Sequence, residues 1–563
     1  MGYLVLGIEN LAAVLVLAAL VTACVARVSG KWRRSVYGLP FLLLMLAPYL
    51  LVTFATGALE FGDRLHTGWF WPLLLLSLGC LVGSTEIWRR GLRLDSVTGR
   101  RPAATWPRAK LVVALAAIAV LHAMTFGNLD AGVKQSLAMV RTEAAALASS
   151  VAPMRLLDRE NAALIYQQVF EGLPAETAWP TVWYEATDDA YFPWHEVDQR
   201  GAAGENADAA VETPFDFKSP ELAELLQRFA GDLALLRKAA ATPGCYFDHN
   251  YGNPSWTIML PEMSQLRQAS RLLTAHARWS AAQGDLKSAL ADIAAMYRMA
   301  QHAATEPMLI PMLVGVAIDQ HASSTLEIVL RSAQATQEDL ADMQIDDLIS
   351  YQRLASRALR MEQAFSLNTF ADLDSMDPAT LVELIVNPPQ LVVPYFGPFY
   401  RVFLLADDLA AYRKFLRDYE QSTSGSYQAN HRKWQAIDER LVNEKAGLLT
   451  LILAPSLSGA LEAAVRADAR HRVAQVGLAM YRYRAAHGKF ADKLDDLTPD
   501  WMPLVPRDPY DGQPLKLRTT EIGWVVYSIG PDLKDDQGEW INWSTGNGDL
   551  AFECVQTPQS MHK

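Results

Sequence analysis

The stretch that decides the fold of the C-terminal region is HRVAQVGLAMYRYRAAHGKF, residues 471–490. Its apolar residues recur at the spacing of one helix face, which predicts a helix that packs against a core. These residues are Val473, Val476, Leu478, Met480 and Tyr481. Gly488 follows the last periodic residue and is a typical helix stop. We therefore predict a long helix that ends near residue 488.

The residues after this helix predict strands. DPYDGQPLKLR (508–518) combines turn residues with a short apolar-alternating run, and GWVVYSI (523–529) is rich in β-formers. The expected arrangement is a long helix followed by a small antiparallel sheet.

This order of motifs resembles the type II secretion major pseudopilin and, more broadly, the type IV pilin-like family. The resemblance runs over about residues 446–545 and rests on YRYRAAHGKF (481–490), DKLDDLTPDWMPLVPRDPYDGQPLKL (492–517) and GWVVYSIGPD (523–532). The family begins with a processed leader and an apolar helix. Here EKAGLLTLILAP (444–455) keeps one apolar stretch without a cleavage site, so the resemblance implies a borrowed binding head rather than a pilus subunit.

An acidic turn follows the second predicted strand, in VVYSIGPDLKDDQGEWINW, Val525 to Trp543. In the pseudopilins this turn binds calcium, so the resemblance implies a calcium site. Its candidate ligands are the side chains of Asp532, Asp535, Asp536 and Asn542, with the backbone carbonyl of Ser528. Calcium takes six to eight oxygen ligands, but the spacing is not that of an EF-hand. A solvated hydrophilic turn remains the alternative, and catalysis is the least favoured.

The N-terminal quarter has a different composition. Residues 1–127 hold 12 Lys and Arg and 5 Asp and Glu, whereas the remaining residues hold 38 and 57. Four apolar runs (3–26, 37–59, 68–88 and 111–127) are predicted to be transmembrane helices. Basic residues between runs one and two, and between runs three and four, place those loops in the cytoplasm. Residues after 127 would then lie outside it.

Two ionisable residues, Glu9 and His122, lie within the apolar runs and could pair across a helix bundle. The acidic remainder argues against nucleic acid as a partner, because phosphate binding requires clustered Lys and Arg. It suits protein partners in the cell envelope.

Residues 128–445 predict an all-α extracytoplasmic domain with a long loop at 173–218. Within it, ARWSAAQGDLKSALADIAAMYRMA (277–300) weakly resembles one tetratricopeptide helix pair joined at Gly284. A second copy at the repeat period is missing, so we interpret the pair as a helical hairpin.

Two loops offer an alternative site. TDDAYFPWHEVD (187–198) and CYFDHNYGNPSW (245–256) hold Asp189, His195, Asp248 and His249, which could form an acid–base or metal site if they converged. Neither loop has a diagnostic catalytic spacing. Cys245 and Cys554 would pair as a disulfide in an oxidising compartment, or remain two unpaired buried thiols.

Together these features predict a multidomain membrane protein. It would have four transmembrane helices (1–127), an all-α extracytoplasmic domain (128–445) and a C-terminal α+β pseudopilin-like domain with a tail (446–563). The predicted role is a scaffold or interaction protein of the bacterial inner membrane and envelope, linked by resemblance to secretion machinery, with calcium as the only cofactor. The alternative is a membrane-anchored hydrolase that uses the loops at 187–198 and 245–256.

Overall fold

The structure is a computed structural model. It describes residues 131–174, 178–187, 215–251, 258–345, 349–372, 405–423, 425–443, 447–454, 457–541 and 547–558. This part of the chain is mostly helical, with one small antiparallel sheet of three strands. No helix among these residues is long and apolar enough to cross a membrane. The predicted fold class, a membrane protein with four transmembrane helices, is therefore wrong for the described residues, and the four predicted spans lie outside them.

The helices and strands are named in chain order. The helices are α1 (131–151), α2 (Ala163–Phe170), α3 (Thr181–Thr187), α4 (Pro220–Arg228), α5 (Ala230–Ala240), α6 (Pro261–Ala282), α7 (Leu286–Ala304), α8 (Leu309–Ser332), α9 (Gln337–Leu340), α10 (Tyr351–Asp372), α11 (Leu405–Glu420), α12 (Tyr427–Asn443), α13 (Leu448–Leu453) and α14 (Leu457–His487). The strands are β1 (Lys516–Thr519), β2 (Gly523–Ser528) and β3 (Leu550–Val555). Short 3-10 turns cover Asp158–Glu160 and Leu494–Leu497.

Local sequence signals set several of these boundaries. Ser219 caps α4 by accepting a hydrogen bond from the Leu222 N–H, with Pro220 in the first turn. Gly284 adopts a left-handed backbone conformation (φ 86°) in the connection between α6 and α7. The Asp285 side chain caps α7 by accepting a hydrogen bond from the Ser288 N–H. The predicted helix pair is confirmed at this junction, and α6, α7 and α8 pack against one another.

The sheet has the order β1-β2-β3, with both pairs antiparallel. Val526 of β2 lies opposite Leu517 of β1 and Phe552 of β3. Helix α14 packs closely against the sheet at Gly477, where an added Cβ would lie 2.4 Å from the Phe552 ring. The predicted long helix, its end at Gly488 and the strands β1 and β2 are confirmed. The predicted C-terminal tail, in contrast, contains β3.

One hydrophobic core continues from the helical region into the C-terminal region. Ile293 of α7, Leu326 of α8, Val476 of α14 and Phe552 of β3 belong to the same buried cluster. The described residues within 138–387 and 407–563 accordingly form one compact unit. Since α14 is 31 residues long and is packed by α8, α10 and β3, it joins the two regions rather than marking a boundary between them.

Buried polar groups attach α14 to its helical neighbours. Asp468 accepts hydrogen bonds from the Ser350 hydroxyl (2.6 Å) and from the backbone N–H groups of Tyr351 (2.6 Å) and Gln352 (3.2 Å). It thereby caps the first turn of α10 from another helix. The His471 Nε2 donates to the Ile345 carbonyl (2.8 Å), and its Nδ1 lies 3.2 Å from the Asp319 carboxylate.

The long loop predicted at 173–218 is wrong over Thr181–Thr187, which form α3. The indole rings of Trp179 and Trp183 stack at 3.8 Å between centroids. The backbone N–H of Trp183 donates to the Pro180 carbonyl. Burial of the two indoles against the helical core supplies the free energy that holds this segment helical. Residues 188–214 of the predicted loop lie outside the described residues.

Candidate metal centre

The acidic turn begins directly after β2 and is folded by its own side chains. Asp532 accepts from the Lys534 N–H (3.0 Å), and Asp535 accepts from the Gln537 N–H (3.1 Å). Both are Asx-type turns, in which one carboxylate oxygen replaces a backbone acceptor. Leu533 (φ 61°) and Gln537 (φ 59°) adopt the left-handed backbone conformation within them. Each turn leaves the second oxygen of its aspartate for another partner.

In Asp535 the second carboxylate oxygen already has a partner within the protein. Its Oδ2 lies 3.0 Å from the Lys516 ammonium of β1, and its Oδ1 accepts from the Tyr527 hydroxyl (3.1 Å). Burial alone would raise the pKa of Asp535, but Lys516 and the hydrogen bonds from Gln537 and Tyr527 lower the pKa below its ordinary value. The protein itself therefore compensates the charge of Asp535, which makes it the weakest of the predicted calcium ligands.

Asp532 and Asp536, in contrast, each have a carboxylate oxygen that no hydrogen-bond donor contacts. In both residues this oxygen is Oδ2, and it is buried. Lys534 is 3.8 Å from the Asp532 Oδ2, but the lysine side chain is 71% exposed and so adds little attraction. A buried carboxylate oxygen without a donor is costly unless a cation approaches it.

Asp549, which the sequence reasoning missed, is a third aspartate of the β2–β3 loop with an oxygen that has no hydrogen-bond partner. It directly precedes β3 and is fully buried. Its Oδ2 accepts from the Gly538 N–H (2.6 Å), whereas its Oδ1 is buried and has no hydrogen-bond partner. Burial raises its pKa to about 6. The N–H groups of Gly538 and Asp536 oppose this rise, and the Asp536 and Asp535 charges add to it.

Backbone pairing brings Asp549 to the acidic turn. The Asp549 N–H donates to the Glu539 carbonyl (2.7 Å), and the Ile541 N–H donates to the Asp549 carbonyl (3.0 Å). At Gly548 (φ 108°) an added Cβ would lie 2.8 Å from the Trp540 carbonyl, so only glycine permits this approach. The signal in the sequence was the GNGD run before a β-forming stretch, but nothing local indicated which loop it would pair with.

The other two predicted ligands are placed differently. The Ser528 hydroxyl donates to the Asp508 carboxylate (2.9 Å), in a separate buried group that also accepts from the Ile529 N–H (2.9 Å). The calcium prediction for Ser528 concerned its backbone carbonyl and not its hydroxyl, and that prediction stays open. Asn542 lies outside the described residues.

The donor set fits calcium better than a transition metal. It consists of carboxylate and carbonyl oxygens, which are the ligands that calcium prefers. No group of three or more His, Cys, Asp or Glu side chains among the described residues meets the arrangement of a metal site. A calcium ion at Asp536 and Asp549 would therefore need backbone carbonyls and water to complete its shell. If bound, the ion would neutralise the unpaired carboxylates and fix the loop.

The alternative acid–histidine site is only partly described. Asp248 accepts from the Tyr246 hydroxyl (3.1 Å). The His249 Nε2 lies 3.1 Å from the Glu262 carboxylate, at ion-pair distance without hydrogen-bond alignment. Burial lowers the pKa of His249, but Glu262, Glu306 and Asp248 raise it more. Asp189 and His195 lie outside the described residues, as do Glu9 and His122.

Glu306 lies in the same region and was not predicted. It is buried, and it accepts from the Tyr251 hydroxyl. Burial raises its pKa to about 7, against the lowering effects of His249 and Arg357. The Tyr251 hydroxyl satisfies one oxygen of Glu306, which is typical of a structural polar group, whereas the His249 Nε2 and the Glu262 Oε1 have no hydrogen-bond partner.

A second group, Ser280, His276 and Asp292, contains the residue types of a hydrolase triad. The Asp292 Oδ2 lies 2.6 Å and the Ser280 Oγ 3.4 Å from the same ring nitrogen, His276 Nδ1. A triad needs the serine and the aspartate on opposite nitrogens of the histidine. Asp292 also accepts from the Arg237 Nε (2.6 Å), so the group joins helices α5, α6 and α7 and does not activate a nucleophile.

Both described cysteines are free thiols. Cys554 of β3 is buried beside Glu327 and Arg484, whereas Cys245 is half-buried near Glu306 and Glu262. Of the two alternatives drawn from the sequence, a disulfide or two unpaired thiols, the structure has the unpaired thiols. Burial raises the pKa of each thiol, which makes both poor nucleophiles at neutral pH.

Comparison of the chain with protein-family models, with curated proteins and with solved structures found no match.

Proposed function

We propose that this chain is a non-enzymatic interaction protein of the bacterial cell envelope, with the region after residue 127 outside the cytoplasm. Its pseudopilin-like C-terminal region would present the β2–β3 loop to a protein partner, and a structural calcium ion would hold that loop. The observation that carries the proposal is that Asp532, Asp536 and Asp549 each have a buried carboxylate oxygen without a hydrogen-bond partner. An extracytoplasmic location suits this site because free calcium is abundant there.

The surroundings of the site support a structural role for the ion. The Trp540 side chain is 45% exposed in the loop next to Asp549, and exposed tryptophans are enriched at the centres of protein interfaces. His276 and His471 contact the Asp292 and Asp319 carboxylates between packed helices, which supports a structural role for these two histidines. Residues that act on a substrate would instead need access to a cleft.

The proposal is tested by photo-crosslinking in cells. A photoreactive amino acid would replace Trp540 and, as a matched control, Ile522, which is 47% exposed in the turn between β1 and β2. We expect a discrete adduct with an envelope protein from position 540 and none from position 522. Asp549→Asn should abolish the adduct because the loop would lose its calcium. The absence of an adduct at 540, or an adduct that Asp549→Asn leaves unchanged, would contradict the proposal.

A further inference from the structure

A cleft of about 460 Å³ lies apart from the acidic loop, between α9 with the residues that follow it and the end of α14. Its lining includes Gln337, Leu340, Gln344, Arg482, Asp500 and Trp501. Its volume is within the range of small-molecule sites. The calcium proposal does not involve it.

The cleft is built on fixed elements. Thr336 caps α9 with a reciprocal pair of hydrogen bonds to Asp339, and Leu340 is buried beneath the cleft. Arg482 donates to the Met343 carbonyl and so attaches the end of α14 to the segment after α9. Trp501 is positioned by its backbone bond to the Leu497 carbonyl (3.0 Å). A ligand would therefore meet a largely preformed surface.

The indole of Trp501 is supported by other aromatic rings. Tyr483 and His487 stack at 4.1 Å, and both meet Trp501 edge-on, at 6.1 and 5.7 Å between centroids. This packing fixes the orientation of the indole at the edge of the cleft. A rigid, partly exposed aromatic face offers apolar contact area at a low entropic cost.

The polar side chains of the lining share one property. Gln337, Gln344, Arg482 and Asp500 each end in a planar group with two neighbouring hydrogen-bonding atoms. Such groups match pairs of adjacent hydroxyls, which a sugar ring presents around its edge while its C–H face is apolar. The one positive and one negative charge cancel, so the lining favours a neutral ligand over an anion or a cation.

The geometry points to a binding site for a neutral oligosaccharide, with a sugar ring against Trp501 and its hydroxyls on the glutamines, Asp500 and Arg482. A peptide fits less well. It would need apolar pockets for its side chains or a free strand edge, and the cleft is formed by a short helix, a helix end and a loop.

The test is titration calorimetry of the full-length protein with neutral cello-, chito-, malto- and xylo-oligosaccharides, and with a charge-balanced peptide mixture. We expect at least one oligosaccharide to bind. Trp501→Ala should weaken it about tenfold or more, as for a central aromatic contact. Tyr184→Ala removes an exposed aromatic ring on α3, away from the cleft, and should leave the affinity unchanged.

Two further variants keep the test decisive if Trp501→Ala fails to fold. Trp501→Phe retains an aromatic face and should bind more weakly than the parent but more strongly than the alanine variant. Gln344→Ala removes an exposed amide without disturbing the core, and should also weaken binding. The assignment would be overturned if none of the sugars bound, or if only the peptides bound. It would also be overturned if Gln344→Ala and Trp501→Phe both bound the sugar as tightly as the parent.

Discussion

Two regions of this protein bury aspartates, and they do so in opposite ways. At the interface of α14 with α10, the Asp468 carboxylate accepts three hydrogen bonds from Ser350, Tyr351 and Gln352. In the β2–β3 loop, Asp549 is equally buried, yet its Oδ1 has no partner. Where the protein supplies donors, their hydrogen bonds offset part of the effect of burial, which still raises the pKa of Asp468. Where it does not, the carboxylate is stable only with a proton or a cation.

The largest effect is expected at the satisfied carboxylate. Asp468→Ala would leave the Ser350 hydroxyl and two backbone N–H groups at the start of α10 without an acceptor. We expect a loss of about 3 kcal/mol in the free energy of unfolding, measured by urea denaturation of the purified protein. Asp468→Asn keeps one acceptor oxygen and should lose less. A loss below about 1 kcal/mol for the alanine variant would show that this interface is not held as described.

The next effect distinguishes a proton from a cation at Asp549. Burial raises its pKa to about 6, so the folded state without calcium holds this proton more tightly than the unfolded state. That contribution is complete below about pH 4 and is lost as the pH rises through about 6. Bound calcium needs the ionised form, so the calcium-dependent rise in Tm should shrink as the pH falls from about 7.5 to about 5. Melting with calcium or chelator at each pH measures this. An increment that stays constant with pH would argue against Asp549 as a ligand.

A smaller effect tests a third kind of buried acid, Glu327 on α8. It accepts from the Glu553 N–H (3.1 Å) and lies 3.6 Å from Arg331, while burial raises its pKa to about 7. A raised folded-state pKa stabilises the fold below about pH 4.5 and stops doing so as the pH passes 7. Glu327→Gln keeps the acceptor oxygen without the charge, so it should gain about 1 kcal/mol at pH 8 relative to the parent. Urea denaturation at about pH 5 and 8 would show the difference, and equal pH dependence in both proteins would refute it.

The smallest effect is expected at Asp535, the aspartate of the acidic turn that the protein pairs with Lys516. Both side chains are about 40% exposed (38% and 44%), and such surface pairs contribute below about 1 kcal/mol. Asp535→Asn should therefore lower Tm only slightly and leave the calcium increment in place. Loss of the increment in this variant would place the ion at Asp535 rather than at Asp536 and Asp549.

Local chemistry made much of the C-terminal fold predictable. The apolar face of α14, the stop at Gly488 and the β-formers of β2 are each encoded within a few residues, and so is the Ser219 cap of α4. Helix α3 was missed because its stability comes from burying Trp179 and Trp183 in the core of the helical region. The run WPTVWYEAT (179–187) is too short to show a helical repeat, so it gives little local indication of that burial.

The candidate site was only half predictable for a related reason. The carboxylates of Asp532, Asp535 and Asp536 are neighbours in sequence, so the cluster was visible. Which of them retains an unpaired oxygen depends on Lys516 from β1 and on Asp549 from the start of β3. Both come from the tertiary pairing of the sheet, which leaves no mark on the turn itself.

The most direct test of the account is thermal melting of the full-length protein with saturating calcium or with chelator, in the parent and in Asp549→Asn. A ligand that binds only the folded state at about 100 times its Kd adds about 2.7 kcal/mol, so the parent should melt at a clearly higher temperature with calcium. Asp549→Asn should melt at the same temperature in both conditions. The claim that the aspartates of this loop bind calcium would be contradicted if calcium left the melting temperature of the parent unchanged. It would also be contradicted if calcium raised the melting temperature of Asp549→Asn as much as that of the parent.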